Sequence, residues 1–218
     1  MKQKKPYLRN ESTIDSKEES LDFVNKHGFV TLFPVRGKRF PNLYQATKGD
    51  REEKFNKAWG WADELSVKQR QIYYGKLIYG QVTLISMEML PYFYKLCRKD
   101  KFTGTPEKIL DFIKQNGATS TTDLRKSLGL TGKNKKNEFV KALNILQMAF
   151  AITVANKGKP PRYTHTWDLT ENWVSEGLIR RAESIKEEVA KTEIVAKLLE
   201  NHVISEPEDA YQLLRLKL

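Results

Sequence analysis

Cysteine is almost missing from this chain. One thiol, Cys97, in 218 residues excludes an internal disulfide and any zinc site built from several cysteines. Histidine is nearly as scarce: three residues, none in an HxxxH pair, give no imidazole spacing suited to a metal, so neither metal nor cofactor is expected. No run approaches the roughly 20 apolar residues of a membrane helix, and no membrane partner is expected. The opening MKQKKPYLRNEST carries lysines without an apolar stretch behind them, unlike a secretory signal, so the cytoplasm is the expected compartment.

The remaining composition is that of a folded protein. Hydrophobic residues make up 39% and charged residues 30%, with too many aromatics for a disordered chain. The length suffices for one large domain or two small ones. The net charge is +11, which favours polyanionic partners. Its distribution is uneven: residues 131 to 165 hold seven Lys/Arg (Lys133, Lys135, Lys136, Lys141, Lys157, Lys159, Arg162) against one acid, Glu138. Residues 171 to 210 run the other way, with ten acids and five bases, as a solvated helical region does.

Punctuation along the chain gives an element order. Residues 1 to 15 are polar and expected to be loose. Ser16 followed by Glu19 predicts a capped helix that stops at Gly28. FVTLF (29 to 33) reads as a buried strand, and RGKRFPN (36 to 42) as a basic loop. The patterns from Phe55 to Leu65 and from Val67 to Tyr79 predict helices, as does SMEMLPYFYKLC (86 to 97), with Pro91 near its start.

A change of composition at KDKFTGTP (99 to 106) marks a boundary. Beyond it, Thr105 as N-cap and Pro106 as first helical residue predict a helix to Gly117. A short helix from Asp123 to Leu128 follows, ended by Gly129. A third helix, about 133 to 148, places Phe139, Val140, Leu143, Ile145 and Leu146 inward. FAITVAN and RYTHTWDL, joined by KGKPP, read as a two-stranded ribbon. Helix, short helix, turn, long helix and ribbon is the order of a winged helix-turn-helix. Residues 171 to 200 read as one long helix, and 203 to 218 as a terminal turn or helix.

The expected fold is therefore α+β and mainly helical, with winged helix-turn-helix units and short β-ribbons. The units are a loose tail (1–15), an N-terminal unit (16–100), a winged helix-turn-helix (101–170) and a C-terminal helical segment (171–218). In such a motif the third helix enters the major groove while phosphate contacts fix its register. Outside its apolar stripe stand Lys133, Asn134, Lys135, Lys136, Asn137, Lys141 and Asn144; the ribbon tip adds Lys157, Lys159 and Arg162, and the basic loop Arg36, Lys38 and Arg39. Lysine attracts phosphate and asparagine can pair with base edges. Arginine, the commonest guanine reader, is missing from this helix, so binding dominated by the backbone is expected.

LDFVNKHGFVTLFPVRGKRFPNLYQA, WGWADEL and YYGKLIYGQVTLISMEMLPYFYKL together resemble the AlkZ-related proteins, a group similar to the AlkZ/YcaQ family of DNA glycosylases that excise alkylated or crosslinked bases. The resemblance covers most of residues 16 to 200, including RYTHTWDLTENW. It implies winged-helix units and DNA as partner. In the glycosylases a GLVQxD-like or GLVQxQ-like segment supplies two polar residues that position a water at the sugar-base bond. The matching segment here is Gly28 to Pro34, with Thr31 and Phe33 at both catalytic positions. A phenyl ring cannot take a proton from water, and threonine is a poor general base.

Other groups offer chemistry or contact. Glu88, between apolar neighbours in ISMEMLPYF, is a candidate buried carboxylate. His27 stands where it can cap carbonyls, and His165 is expected on a ribbon strand. Trp59, Trp61, Tyr73 and Tyr74 are candidates for an aromatic cleft that stacks an extruded base, with core packing as the alternative. The leading function is binding of nucleic acid, duplex DNA first, by a relative of repair glycosylases without their catalytic pair. Two alternatives stand beside it: a base-excision enzyme using other acids, and an adaptor for a protein partner whose basic face serves solubility.

Overall fold

The computed structural model describes residues 13–157 and 164–210. Of the segment expected to be loose, residues 1–12 lie outside the described residues, while Ile14 is buried and bridged to Thr47 and so belongs to the fold. Helix α1 (Lys17–His27) has the expected capping box: the Ser16 hydroxyl accepts the Glu19 N–H while the Glu19 carboxylate accepts the Ser16 N–H. It ends at Gly28, whose φ of 75° suits glycine and where a Cβ would press within 2.9 Å of the Met89 side chain.

Strand β1 (Phe29–Thr31), helix α2 (Leu43–Ala46) and helix α3 (Arg51–Asp63) follow, the last running into a π turn, Glu64–Lys68. Next come β2 (Ile72–Lys76), β3 (Val82–Ser86) and α4 (Leu90–Cys97), which has Pro91 in its first turn. The stretch 67 to 79, expected as a helix, thus holds the end of the π turn and then strand β2, with no α-helix. The three strands form an antiparallel sheet in the order β1-β3-β2. Its neighbouring residues alternate between two hydrophobic clusters: Val30, Ile72, Tyr74 and Leu84 enter one, Phe29, Tyr73 and Ile85 the other. A strand buried on both faces is apolar throughout and carries no period-2 signature, which is why helix and strand look alike here.

After the connection at residues 98–104, α5 (Thr105–Asn116) leads to β4 (Thr119–Ser120), α6 (Thr121–Ser127), a 3-10 turn (Lys133–Lys135), α7 (Lys136–Met148), β5 (Ile152–Lys157) and β6 (His165–Leu169). These strands make a second antiparallel sheet in the order β4-β6-β5. Two caps differ from expectation. Gly104, at φ 72°, takes the N-cap of α5, and the Thr105 hydroxyl donates instead to Glu138. Ser120 caps α6, which starts at Thr121, two residues before the expected start.

The inward stripe of α7 is Phe139, Ala142, Leu143, Leu146 and Gln147, a regular i, i+3, i+4, i+7, i+8 set. Val140 and Ile145, expected inside, lie past its edges and are 42% and 47% exposed.

Residues 171 to 200 are not one helix. They divide among α8 (Thr170–Trp173), α9 (Glu176–Ser184) and α10 (Glu187–Glu200). Extended backbone at Val174 and Ile185 makes the breaks, and Ser175 caps the new start by accepting the Leu178 N–H at 3.3 Å. Breaking the helix lets Trp173, Val174, Leu178, Ala182, Ile194 and Leu198 all reach the cluster that contains α4, as one straight rod could not. The molecule is accordingly a mainly helical α+β protein with two small three-stranded antiparallel sheets.

Candidate nucleic-acid interface

The turn between α6 and α7 sets how α7 is presented. Gly129 adopts φ 65°, Leu130 is buried, and the Arg125 guanidinium donates to the carbonyls of Leu130 and Thr131 at 3.1 and 3.2 Å. The same guanidinium lies over the Phe139 ring, 6.0 Å from its centre. Arg125 therefore positions the helix, a role that arginine next to an ordinary helix stop does not advertise in sequence.

Lys133, Asn134, Lys136, Asn137 and Lys141 are exposed on the 3-10 turn and the first half of α7. Lys133, Lys136 and Lys141 have no carboxylate partner among the described residues. Lys135 differs, because its ammonium donates to Glu138 at 3.1 Å. The Thr105 hydroxyl, and then Lys135, hold the Glu138 carboxyl below its usual range, so it stays an anion that tethers this lysine. Asn144 also departs from expectation: it is half-buried, with its Oδ1 enclosed and unpartnered, and is not placed to read a base edge.

The ribbon is pinned to the start of α6. The Trp167 indole N–H donates to Thr121 Oγ1 at 2.9 Å, and the Thr121 hydroxyl donates to the His165 carbonyl at 3.0 Å. His165 is half-buried, edge-on to Trp167 at 5.4 Å. Lys157 closes β5 opposite His165, while Lys159 and Arg162 lie outside the described residues. Arg36, Lys38 and Arg39 are exposed on the loop after β1 and line a cleft with Lys26 to which no α7 residue contributes.

The other candidates are scattered. Thr31 is fully buried and its hydroxyl is turned to the Pro41 carbonyl at 3.5 Å. Phe33 belongs to a surface group of rings, stacked on Phe55 at 5.5 Å and near Tyr44 and Trp59. Glu88, expected to be buried, is exposed. The expected aromatic cleft does not form. Tyr73 is enclosed between Phe150, stacked at 4.9 Å, and Trp173, whereas Tyr74 enters the opposite cluster and Trp59 and Trp61 pack half-buried at that cluster's edge.

The open aromatic surface is instead Phe33, Tyr44 and Phe55, which is 48% exposed. The i, i+4 spacing of Phe55 and Trp59 on α3 was the signal for it. Cys97 is buried, which pushes its thiol up to about 12, far from a reactive thiolate. Burial lowers His27 below its usual value, against the opposing effect of its hydrogen bond to Asn201. Among the described residues no three His, Cys, Asp or Glu side chains gather as a metal site, and no helix is long and apolar enough to cross a membrane.

Fold and surface define a mainly helical α+β protein that presents a lysine- and asparagine-rich helix beside a short ribbon. The AlkZ-related family model matches residues 14–215, and the chain belongs to that family. No curated protein and no solved structure matches it.

Proposed function

We propose that this protein binds nucleic acid, with duplex DNA as its ligand, as a relative of DNA repair glycosylases that lacks their catalytic pair. The observation that carries this reading is the start of α7: Lys133, Lys136 and Lys141 with Asn134 and Asn137, exposed and with no carboxylate among the described residues holding the three lysines. Residues 101–170 are read as a winged helix-turn-helix, α5-β4-α6-α7 with the ribbon β5-β6, which makes α7 the helix that enters the major groove. Family membership supports the same partner.

Lysine holds phosphate as a point charge, so affinity falls steeply with salt and depends weakly on sequence. The burial of Thr31, the phenyl ring of Phe33 and the exposure of Glu88 supply no group poised as general base, which favours binding without base excision. The test is anisotropy of labelled duplexes, plain and alkylated, over a salt series, with gels for base loss. Steep salt dependence without base release is expected. Flat, weak binding to every duplex would send the reading to a protein partner, and release of a modified base would restore the enzyme.

A further inference from the structure

A second basic surface lies outside the α7 face and has a different shape. The loop from Pro34 to Asn42, the end of α1 and the turn after α10 enclose a cleft of about 450 Å³. Four cations line it, Lys26, Arg36, Lys38 and Arg39, and none has a carboxylate partner among the described residues. Glu200 is the single carboxylate in the lining, and Lys197 holds it at 2.8 Å.

The bland explanation is that these cations only offset the negative ends of α1 and α10, which terminate here. Each helix end carries about half a negative charge, so two ends offset roughly one of the four cations. Glu200 is already offset by Lys197. A surplus near three positive charges remains in a concave space, where an isolated basic loop would be expected to spread its side chains into solvent.

The cleft is also built in advance. Val35, Phe40 and Pro41 are buried, the Thr31 N–H donates to the Pro41 carbonyl at 3.0 Å, and Asn42 Nδ2 donates to the Phe40 carbonyl at 3.2 Å. Between these anchors the Lys38 N–H donates to the Val35 carbonyl at 3.1 Å, with Gly37 at φ 74° making the turn. The opposite wall is fixed by a reciprocal pair: His27 Nδ1–H donates to Asn201 Oδ1, and Asn201 Nδ2 donates to the His27 carbonyl at 2.9 Å. Rigid walls reduce the ordering cost of binding.

We propose that this cleft binds a nucleotide through a terminal phosphomonoester. The two guanidiniums supply forked donors suited to a dianion, and the lysines add charge. The volume exceeds that of a bare phosphate and lies within the range of small-molecule sites, so the attached nucleoside is accommodated too. The phosphomonoester belongs either to a free mononucleotide or to the phosphorylated end of a strand. This site stands apart from the duplex-binding reading and does not require it.

Calorimetry with dAMP and deoxyadenosine, and with a trinucleotide carrying either a 5′ phosphate or a 5′ hydroxyl, tests it. Charge-assisted contacts to the phosphate predict a preference of about tenfold or more for the phosphorylated member of at least one pair. The double variant Arg36→Gln/Arg39→Gln, both at exposed positions, should abolish that preference with an unchanged far-ultraviolet spectrum, whereas Lys133→Gln/Lys136→Gln should leave it intact. Preference in the first pair alone identifies a free mononucleotide, and in the second a strand end. Equal binding within both pairs, or a preference that survives the double arginine variant, overturns the proposal. Loss of duplex binding in the lysine variant bears only on α7.

Discussion

Replacing Lys133, Lys136 and Lys141 together by glutamine separates a phosphate-binding helix from a merely soluble one. All three are exposed and lack carboxylate partners among the described residues, so the change removes three charges without breaking an ion pair there. Glutamine has about the helix propensity of lysine, so α7 keeps its shape. Each lysine that displaces a counterion from duplex DNA contributes about 0.9 to the slope of log affinity against log salt. Three contacts contribute about 2.7. Between about 50 and 200 mM salt, a fourfold change, wild type should therefore lose about 40-fold more affinity than the variant.

Lys135→Gln is the internal control. Its ammonium is already engaged by Glu138 at 3.1 Å, and Glu138 keeps the Thr105 hydroxyl when the lysine is gone. The slope should change by less than about half a unit, well under a full phosphate contact. Anisotropy of one labelled duplex, titrated at four or more salt concentrations for wild type, triple variant and control, reads both quantities. A triple variant whose slope equals wild type, with helical content unchanged, would refute the assignment of α7.

Four further outcomes follow from the packing. Phe150→Ala removes a fully buried ring stacked on Tyr73 at 4.9 Å and should cost about 3–5 kcal/mol in urea unfolding; a loss under about 1 kcal/mol would contradict the packing. Ser16→Ala deletes the hydroxyl half of the α1 capping box and should cost about 1 kcal/mol, with Ser16→Gly costing less. Because burial lowers the pKa of His27 in the folded state, the unfolded chain takes up the proton first: the stabilisation is complete above the ordinary value of 6.5 and is lost as pH falls below it. Wild type should then lose more stability than His27→Gln between about pH 7.5 and 5.5, and equal losses would refute the assignment. Tryptophan emission and far-ultraviolet dichroism should report one coincident urea transition, since both hydrophobic clusters join residues from either side of residues 98–104; two separated transitions would contradict this.

What the sequence disclosed was local chemistry. Ser16 with Glu19, Gly28, Gly117 and the stop at Gly129 were legible because caps and left-handed turns act within a few residues. The order α5-α6-α7-β5-β6 was legible for the same reason. Strand β2 was the largest misreading: IYYGK is buried on both sides, and only pairing with β3, remote information, makes it a strand and not the expected helix. The two-residue β4 had no signal at all.

The breaks at Val174 and Ile185 were hidden because neither proline nor glycine marks them, and tertiary burial decides where they fall. At the candidate site, the lysines were legible as a charge run, but the tether on Lys135 and the enclosure of Asn144 depend on Thr105 and on packing partners that spacing does not reveal.

The first sheet explains why the α7 face is held in place. One of its surfaces carries Val30, Ile72, Tyr74 and Leu84 into the cluster that also holds Phe139, Leu143 and Leu146 of α7. Its other surface carries Phe29, Tyr73 and Ile85 into the cluster closed by Phe150, Trp173 and Leu198. Phe150, two residues after the end of α7, and Thr153, whose hydroxyl donates to the Tyr74 carbonyl at 3.0 Å, bind the end of the helix and the start of the ribbon to that same sheet. Reorienting α7 would expose apolar residues on both surfaces at once, at a cost that scales with the area uncovered. A helix fixed in this way presents the exposed lysines at its start from a fixed backbone and not from a flexible tail, so in the proposed binding role little backbone freedom is left to lose.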